Sequence, residues 1–422
     1  MNGSLLARRR AGSRRSRRVG WTAGLAIVTT LALGACASSG SSSNSGDSSS
    51  GEYVLGAMFS LTNPAGAANA IPISHGLQAA IDGINRRGGV NGHKIDLKTL
   101  DDGGNAGREA SVFRQLLGDN VSAIAGLDES SDLAVVVPLA DQYKVPVMSI
   151  GAPETDLVPG NPYVFGSIAD LGSQGLAEVD YVQSLVSSGK LPAHPKIATV
   201  YYNVPSSAQT DQGVVAYAKR LGMQVVANLQ IAPNVGATGP LMARIASSHA
   251  QAIISGLTEV DSLAGIKAMS SSGVNSSIPW VVWSFGGGPS DLQNYAKLGA
   301  GGYVVILNFD SSGDNPTSAQ FISDAKADGY NPLQAGVDTG YAQGLLAENA
   351  FKRCGYPCDT SQFLKALEST NTNLGGFAFG PIQYTASNHG GITTVRFAQW
   401  DLKDNKLVFP EPAVKLQAPS AS

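Results

Sequence analysis

Apolar residues recur at spacings of three and four through Ile73, Leu77, Ala80, Ile81 and Ile84, which predicts a helix with a single buried stripe. Gly88 and Gly89 follow and stop it, as C-terminal capping glycines do. Beyond the turn Val90-Asn91-Gly92 the period changes: Lys94 to Leu100 alternates, with Ile95, Leu97 and Thr99 on one side, which predicts a strand. Asp101 to Gly104 end that strand, and a second helix places Ala110, Phe113, Leu116 and Leu117 on its inner face. Helix, strand and helix in this order belong to an α/β sheet.

The same alternation runs along most of the chain. Buried strands are expected at Tyr53 to Phe59, Ser122 to Gly126 and Val145 to Ser149, with a helix from Asp132 to Tyr143. A second series sets helix Leu171 to Ser187, strand Lys196 to Tyr202, helix Ser207 to Leu221 and strand Gln224 to Leu229 in succession. Helix Pro240 to Ser248, strand Ala252 to Leu257, helix Val260 to Ser272 and strand Trp280 to Ser284 continue it. Strands about thirty residues apart mark right-handed βαβ crossovers. Gly302 to Phe309 returns the chain to the first series, where helices Ser318 to Asp328 and Leu333 to Arg353 belong. Thr393 to Trp400 and Lys406 to Phe409 form a last hairpin around Lys403-Asp404-Asn405.

The string N-x-x-G-G-V-N-G-x-K-I-x-L from Asn85 to Leu97, followed by Asp101-Asp102-Gly103, resembles the signature of type I periplasmic solute-binding proteins of the leucine/isoleucine/valine-binding family. The resemblance extends from Tyr53 to about Phe409 and includes Asn161-Pro162-Tyr163-Val164-Phe165, which matches the family's N-P-Y-x-F segment. It implies an α/β fold of two lobes, each a mostly parallel sheet with helices on both faces, joined by a hinge of three crossings. Residues 52–169 with 308–384 are expected to form the first lobe and 170–307 with 385–412 the second, leaving 413–422 as a tail. It also implies a solute held in the cleft between the lobes, and closure around it.

The amino terminus adds an address. Arg8, Arg9, Arg10, Arg14, Arg15, Arg17 and Arg18 precede the apolar run Trp21 to Leu33, too short to span a bilayer comfortably, so residues 1–35 read as an export signal. Leu33-Gly34-Ala35-Cys36 matches a bacterial lipobox, in which the Cys36 thiol receives a diacylglycerol; the alternative is an ordinary signal peptide beside an incidental cysteine. Arg17-Arg18 loosely suggests twin-arginine export, which Gly20 and Trp21 fit poorly. Residues 37–51, rich in Ser and Gly, form a tether with a root-mean-square span of roughly 20 Å. The expected location is the extracytoplasmic face of the cell membrane, lipid-anchored.

Removing the seven leader arginines from 29 Lys and Arg leaves 22 against 32 Asp and Glu, a net charge near −10, which excludes nucleic acid as a natural partner. Charged residues are only 14% of the chain and glycines number 50, as tight turns in an α/β protein require. With Cys36 assigned to lipid, Cys354 and Cys358 in C-G-Y-P-C are expected to form a disulfide. His75, His93, His194, His249 and His389 lack H-E-x-x-H spacing, and neither G-x-S-x-G nor a phosphate-binding G-x-x-x-x-G-K-[ST] loop occurs. No enzyme, metal or cofactor is therefore expected, although scattered carboxylates leave a glycosidase-like pair as the enzymatic alternative. His75 reads as a surface or capping residue.

In an open parallel sheet, ligands bind beyond the carboxyl ends of the strands. That rule nominates Ser60 and Asn63 after the first strand, Asp128, Ser130 and Ser131 after the third, and Gly151 and Ala152 after the fourth. In the second lobe it nominates Asn203, Ser206, Thr258 and Phe285. The family resemblance implies that the 127–131 and 150–153 loops hold the solute's polar head through a serine hydroxyl and backbone N–H groups at a helix start, where donors are unpaired. Asp128 or Ser130 capping the helix is the competing reading. Pro153 stands where amino-acid-binding members carry a threonine, and Phe285 near their acidic ammonium partner, so a small organic solute other than leucine, isoleucine or valine is expected. Asp128, Glu129 or Glu259 could replace the missing acid. The partners implied are that solute and ABC permease subunits, with the protein a monomer; a sensor handing its closed form to a signalling partner is the alternative.

Overall fold

The computed structural model describes residues 51–417 except 65, 129, 151, 234, 235 and 237. These residues belong to one compact unit. The signal segment, Cys36 and tether residues 37–50 lie outside the described residues.

Lobe 1 opens with β1 (Tyr53–Phe59), α1 (Ala67–Arg86), β2 (Ile95–Asp101), α2 (Ala106–Gly118) and β3 (Ala123–Gly126). It continues through α3 (Ser130–Tyr143), β4 (Val147–Ser149), α4 (Glu154–Leu157) and β5 (Val164–Gly166). The sheet is parallel throughout in the order β2-β1-β3-β4-β5. Lobe 2 repeats the winding with α5 (Leu171–Ser187), β6 (Lys196–Tyr202), α6 (Pro205–Arg220), β7 (Gln224–Ile231), α7 (Gly239–Ser248) and β8 (Ala252–Ser255). It is completed by α8 (Glu259–Ser272), β9 (Trp280–Val282), α9 (Pro289–Lys297) and β10 (Tyr303–Leu307). Its strand order, β7-β6-β8-β9-β10, is the same pattern, and a topological switch point falls beside the first strand of each lobe.

After β10 the chain returns to lobe 1 as α10 (Pro316–Ala327), α11 (Val337–Cys354) and α12 (Thr360–Glu368). A small antiparallel sheet of β11 (Asn371–Thr372), β12 (Ile382–Thr385) and β13 (Asn388–Ile392) packs against β5. The chain then enters lobe 2 as β14 (Thr394–Asp401), antiparallel to β10, with β15 (Lys406–Val408) and β16 (Val414–Lys415) pairing to β14. The expected lobe boundary at 384/385 lies inside the β12–β13 hairpin, whose two strands pair with each other; we propose the passage at Thr393 instead.

Every residue of the predicted stripe on α1 is buried, and Gly88 and Gly89 take φ of 101° and 74°, a left-handed region closed to most side chains. α1 and α11 lie backbone to backbone. A Cβ on Gly76 would stand 2.0 Å from the Val337 carbonyl oxygen, and one on Gly340 1.8 Å from that of Ile73. Behind this pair, Gln343 is fully buried; its Oε1 accepts from Gly126 N (3.1 Å) and its Nε2 donates to Met148 O (2.8 Å) and Ser167 Oγ (3.1 Å). One side chain thus ties together the ends of β3, β4 and β5. α11 starts at Val337, four residues later than expected, because Asn331 to Gly336 form a turn in which Gly336 takes φ 86°.

Cys354 and Cys358 are joined, with Cα atoms 5.7 Å apart. The loop they close carries Tyr356, which stacks on His93 at 3.8 Å, while His93 Nδ1 lies 2.7 Å from the Gly51 carbonyl oxygen. His75 stacks on Tyr330 at 4.2 Å, in keeping with a surface role. No helix among the described residues is long and apolar enough to cross a membrane.

Candidate functional site

The carboxyl edge of lobe 1 brings together two of the expected polar positions, Ser60 and Asp128. Ser60 is fully buried at the end of β1; its Oγ donates to Asp102 Oδ1 at 2.9 Å and its N–H points to Asp128 Oδ1 at 3.4 Å. Asp128 therefore reaches back to β1. Asp102 also accepts from Gly104 N (2.9 Å), while its other oxygen, Oδ2, is buried with no hydrogen-bond partner among the described residues. Asn63 lies outside this group: its carbonyl accepts from Ala67 N at 2.8 Å and starts α1, and its side chain lies against Gly104. α3 begins at Ser130, so Ser130 and Ser131 occupy its first turn; their side chains and Gly151 fall outside the described residues. Ala152 is buried in the lobe 1 core among Leu127, Leu133 and Leu157.

Lobe 2 offers a denser arrangement. Tyr202, the last residue of β6, receives the Thr258 N–H at its Oη (2.9 Å), lies 2.9 Å from Thr258 Oγ1 and donates to Asp261 Oδ2 at 2.9 Å. Asp261 Oδ1 in turn accepts from Gly236 N at 2.8 Å. Thr258 is thus engaged by its own lobe, and burial, first of all, pushes the Tyr202 phenol far above its usual range. The expected Thr258 is brought to Tyr202; Asn203 and Ser206 are not. Asn203 is exposed and extends the β6–β7 ladder through its N–H to Ile231 O (2.9 Å), and the Ser206 carbonyl accepts from Thr210 Oγ1 (3.1 Å) inside α6. Phe285 sits edge-on to Trp283, ring centres 6.1 Å apart, and packs against two of the hydrophobic cores.

Two polar groups stand out beside these that pattern reading did not select as primary candidates. Glu259, first residue of α8, has Oε2 buried with no hydrogen-bond partner among the described residues. Burial, helped by the nearby Asp291 and Asp261 carboxylates, raises its carboxyl to about 7. Ser284, just past β9, donates its N–H to Gln174 Oε1 (2.9 Å) and leaves its buried Oγ without a partner among the described residues. The signal for both was their place directly after a strand.

Chemically the two edges present hydroxyls, carboxyls and aromatic faces. Lys and Arg are missing from the segments 60–64, 101–104, 127–132, 150–156, 203–207, 256–261 and 283–291. No group of three or more His, Cys, Asp or Glu suited to a metal ion occurs among the described residues.

The model of the periplasmic binding protein family matches residues 52–406, and the chain belongs to that family. Leu/Ile/Val-binding protein homolog 3 of Brucella melitensis biotype 1 is 23% identical over 363 residues, covering 85% of this chain and 93% of that protein. Among solved structures, a branched chain amino acid ABC transporter protein from Thermus thermophilus with bound valine superposes with a TM-score of 0.75 at 18% identity, covering 87% of this chain and 97% of its own. A fatty acid ABC transporter substrate-binding protein from Thermomonospora curvata gives a TM-score of 0.73 at 20% identity, covering 88% and 94%. An R. palustris solute binding protein in complex with 4-hydroxybenzoate gives 0.72 at 18%, covering 88% and 99%. The protein is a periplasmic binding protein, two-lobed and α/β.

Proposed function

We propose that this chain is the solute receptor of an ABC importer, anchored outside the cytoplasm through lipid on Cys36 and delivering cargo to a membrane permease as a monomer. The observation that carries the reading is the pairing of two identically wound sheets, one edge bearing Ser60, Asp102 and Asp128 and the other Tyr202, Thr258, Glu259 and Phe285. A solute between these edges meets the first turn of α3, and the N–H groups at a helix start suit a carboxylate or another acceptor. From lobe 2 it meets a carboxyl poised near neutrality and an aromatic wall. Ser130, Ser131 and Gly151 are assigned to the lobe 1 side, with Asn63, Asn203 and Ser206 at the margin and Ala152 behind them in the core.

The cargo is a small organic solute, amino-acid-like or related, other than leucine, isoleucine or valine. Pro153 supplies neither a hydroxyl nor a backbone N–H at its loop, and Phe285 supplies no charge. A buried ammonium left unpaired costs on the order of 3 kcal/mol or more. A thermal-shift screen of small solutes tests the reading, because a ligand at a hundred times its Kd stabilises by about 2.7 kcal/mol. An upward shift with leucine, isoleucine or valine, abolished by Ser130→Ala with Ser131→Ala, would overturn the cargo assignment. The anchor has its own test: Cys36→Ala is expected to release the protein to the medium or leave its precursor uncleaved, and processed variant in the membrane fraction would refute lipidation.

A further inference from the structure

The two lobes touch through a contact that sequence patterns do not announce. Between β9 and α9, Gly286-Gly287-Gly288-Pro289 is buried, and α9 points its start at the Asn331–Gly336 turn of lobe 1. Ser290 donates twice to the Leu333 carbonyl oxygen, from N at 2.9 Å and from Oγ at 2.8 Å. Asp291, which caps its own helix through the Gly288 N–H (2.9 Å), also faces the backbone N–H of Ala335, which lowers its carboxyl's pKa against the larger effect of burial. Two hydrogen bonds thus cross the junction, both donated by Ser290 of lobe 2 to one carbonyl of lobe 1.

Gly288 makes this approach possible. A Cβ there would stand 2.5 Å from Ala335 N and 2.8 Å from Leu333 O, closer than real Cβ atoms come. Its φ of −95° and ψ of −176° are open to any residue, so its own backbone does not require glycine. Gly286 and Gly287 differ: their hypothetical Cβ atoms meet Val282 and Asp291 of their own lobe. Among these three glycines, Gly288 alone is reserved for the other lobe.

We propose that Gly288, Ser290 and Asp291, meeting Leu333 and Ala335, form a latch that holds the lobes together and sets the fraction of receptor in the closed state. These are positioning residues, and the proposal rests on the cleft-closing function described above. A side chain at position 288 is excluded only while the contact is made, so Gly288→Val spares the open form and penalises the closed one. The latch biases a two-state element, and its loss lowers apparent solute affinity by the reduced closed fraction.

The test uses purified protein without solute, so it succeeds or fails independently of which solute is carried. Hydrogen exchange measured by mass spectrometry reads the amides of 331–336, and small-angle scattering reads the separation of the lobes. In Gly288→Val, and to a smaller degree in Ser290→Ala, the 331–336 amides are expected to exchange about tenfold faster, with an increased radius of gyration and unchanged exchange in α1. Wild-type exchange at 331–336 as fast as in Gly288→Val would overturn the latch by showing the contact unmade in solution. Faster exchange with an unchanged radius of gyration would overturn it too, reducing the contact to a local prop. If Gly288→Val does not fold, Ser290→Ala is judged by the same two outcomes.

Discussion

Lobe 1 and lobe 2 wind five parallel strands in the same order and fill the space behind them differently. Lobe 1 brings helices together at glycine, with Gly76, Gly340 and Gly344 letting α1 and α11 touch. It also buries acids: Asp324 accepts from Tyr341 Oη at 2.8 Å and pairs with Arg86 and Arg87 at the rim. Lobe 2 packs large rings around buried acids: Tyr201 donates to Glu178 Oε2 at 2.7 Å, Tyr202 to Asp261, and Trp280 Nε1 to Ser255 Oγ at 2.8 Å. One winding therefore admits two interiors, one in which helices meet at glycine and one crowded with large rings hydrogen-bonded to buried acids and hydroxyls. The helix pair of the first is sensitive to volume, and buried carboxyls raised by desolvation, Asp338 in lobe 1 and Glu178 in lobe 2, make both sensitive to protons.

The largest expected effect breaks the lobe 1 side of that contrast. Gly340→Leu forces a side chain into the Ile73 carbonyl and is expected to destabilise lobe 1 by about 3 kcal/mol or more. Trp280, Trp283 and Trp400 all lie in lobe 2, so tryptophan fluorescence follows that lobe while far-ultraviolet circular dichroism follows both. Urea unfolding should show the dichroism transition moving to lower urea ahead of the fluorescence transition. Coincident transitions in the variant would mean that the lobes unfold as one and that their interiors are not independent.

Opening the Cys354–Cys358 loop is a milder perturbation of lobe 1. Cys354→Ser with Cys358→Ser is expected to cost no more than about 2 kcal/mol, because so short a loop constrains the unfolded chain only modestly. Mass spectrometry of the unreduced wild type finding two free thiols would remove the bond from the account.

In lobe 2 the expected change depends on pH. Burial holds the Glu178 carboxyl well above its ordinary value of 4.5, partly opposed by the hydrogen bond from Tyr201. The folded chain therefore keeps a proton that the unfolded chain releases, and this contribution to stability is full below about 4.5 and is lost as pH rises toward the folded-state value. Glu178→Gln cannot ionise, so its Tm is expected to fall less than that of the wild type between pH 5 and 8, a difference on the order of 1 kcal/mol. Parallel pH profiles would show that Glu178 is not what makes lobe 2 proton-sensitive.

The smallest effect is read in solute binding. Glu259, raised to about 7 by burial and its acidic neighbours, binds a cationic group only when ionised. For a cationic cargo, affinity should rise with pH through about 7 and level off above it, by up to about tenfold per unit across the window. Glu259→Gln should flatten that rise. A neutral cargo shows no such rise, which would leave the carboxyl as a hydrogen-bonding group.

Much of the frame was legible because it repeats: the α1 stripe, the strand at Ile95–Asp101 and the second series all emerge from apolar spacing and glycine stops. α12 escaped although Asp359 and Gln362 form a capping box, since only Phe363, Ala366 and Leu367 are buried along it. β13, Asn-His-Gly-Gly-Ile, has a single β-branched residue and is held by its partners instead: His389 Nδ1 lies 2.9 Å from the Val164 carbonyl oxygen. At the candidate site, proximity to a strand end pointed to Ser60 and Thr258. It could not foresee that Asp102 would engage the first and Tyr202 the second, because those bonds span 42 and 56 residues and depend on strand order. The expected Asn203 and Ser206 followed the same rule and are taken up by backbone pairing within lobe 2.

Gln343 fastens the ends of β3, β4 and β5 from behind, on the core side of the loops proposed above to face the solute. The chain beyond β3, β4 and β5 consequently hangs from a common bracket that does not depend on what the following loops contain. Replacements within them can alter chemical taste while the spacing among them is kept. A receptor built this way can acquire a new cargo through a handful of exchanges at its rim, with no renegotiation of the frame that presents them.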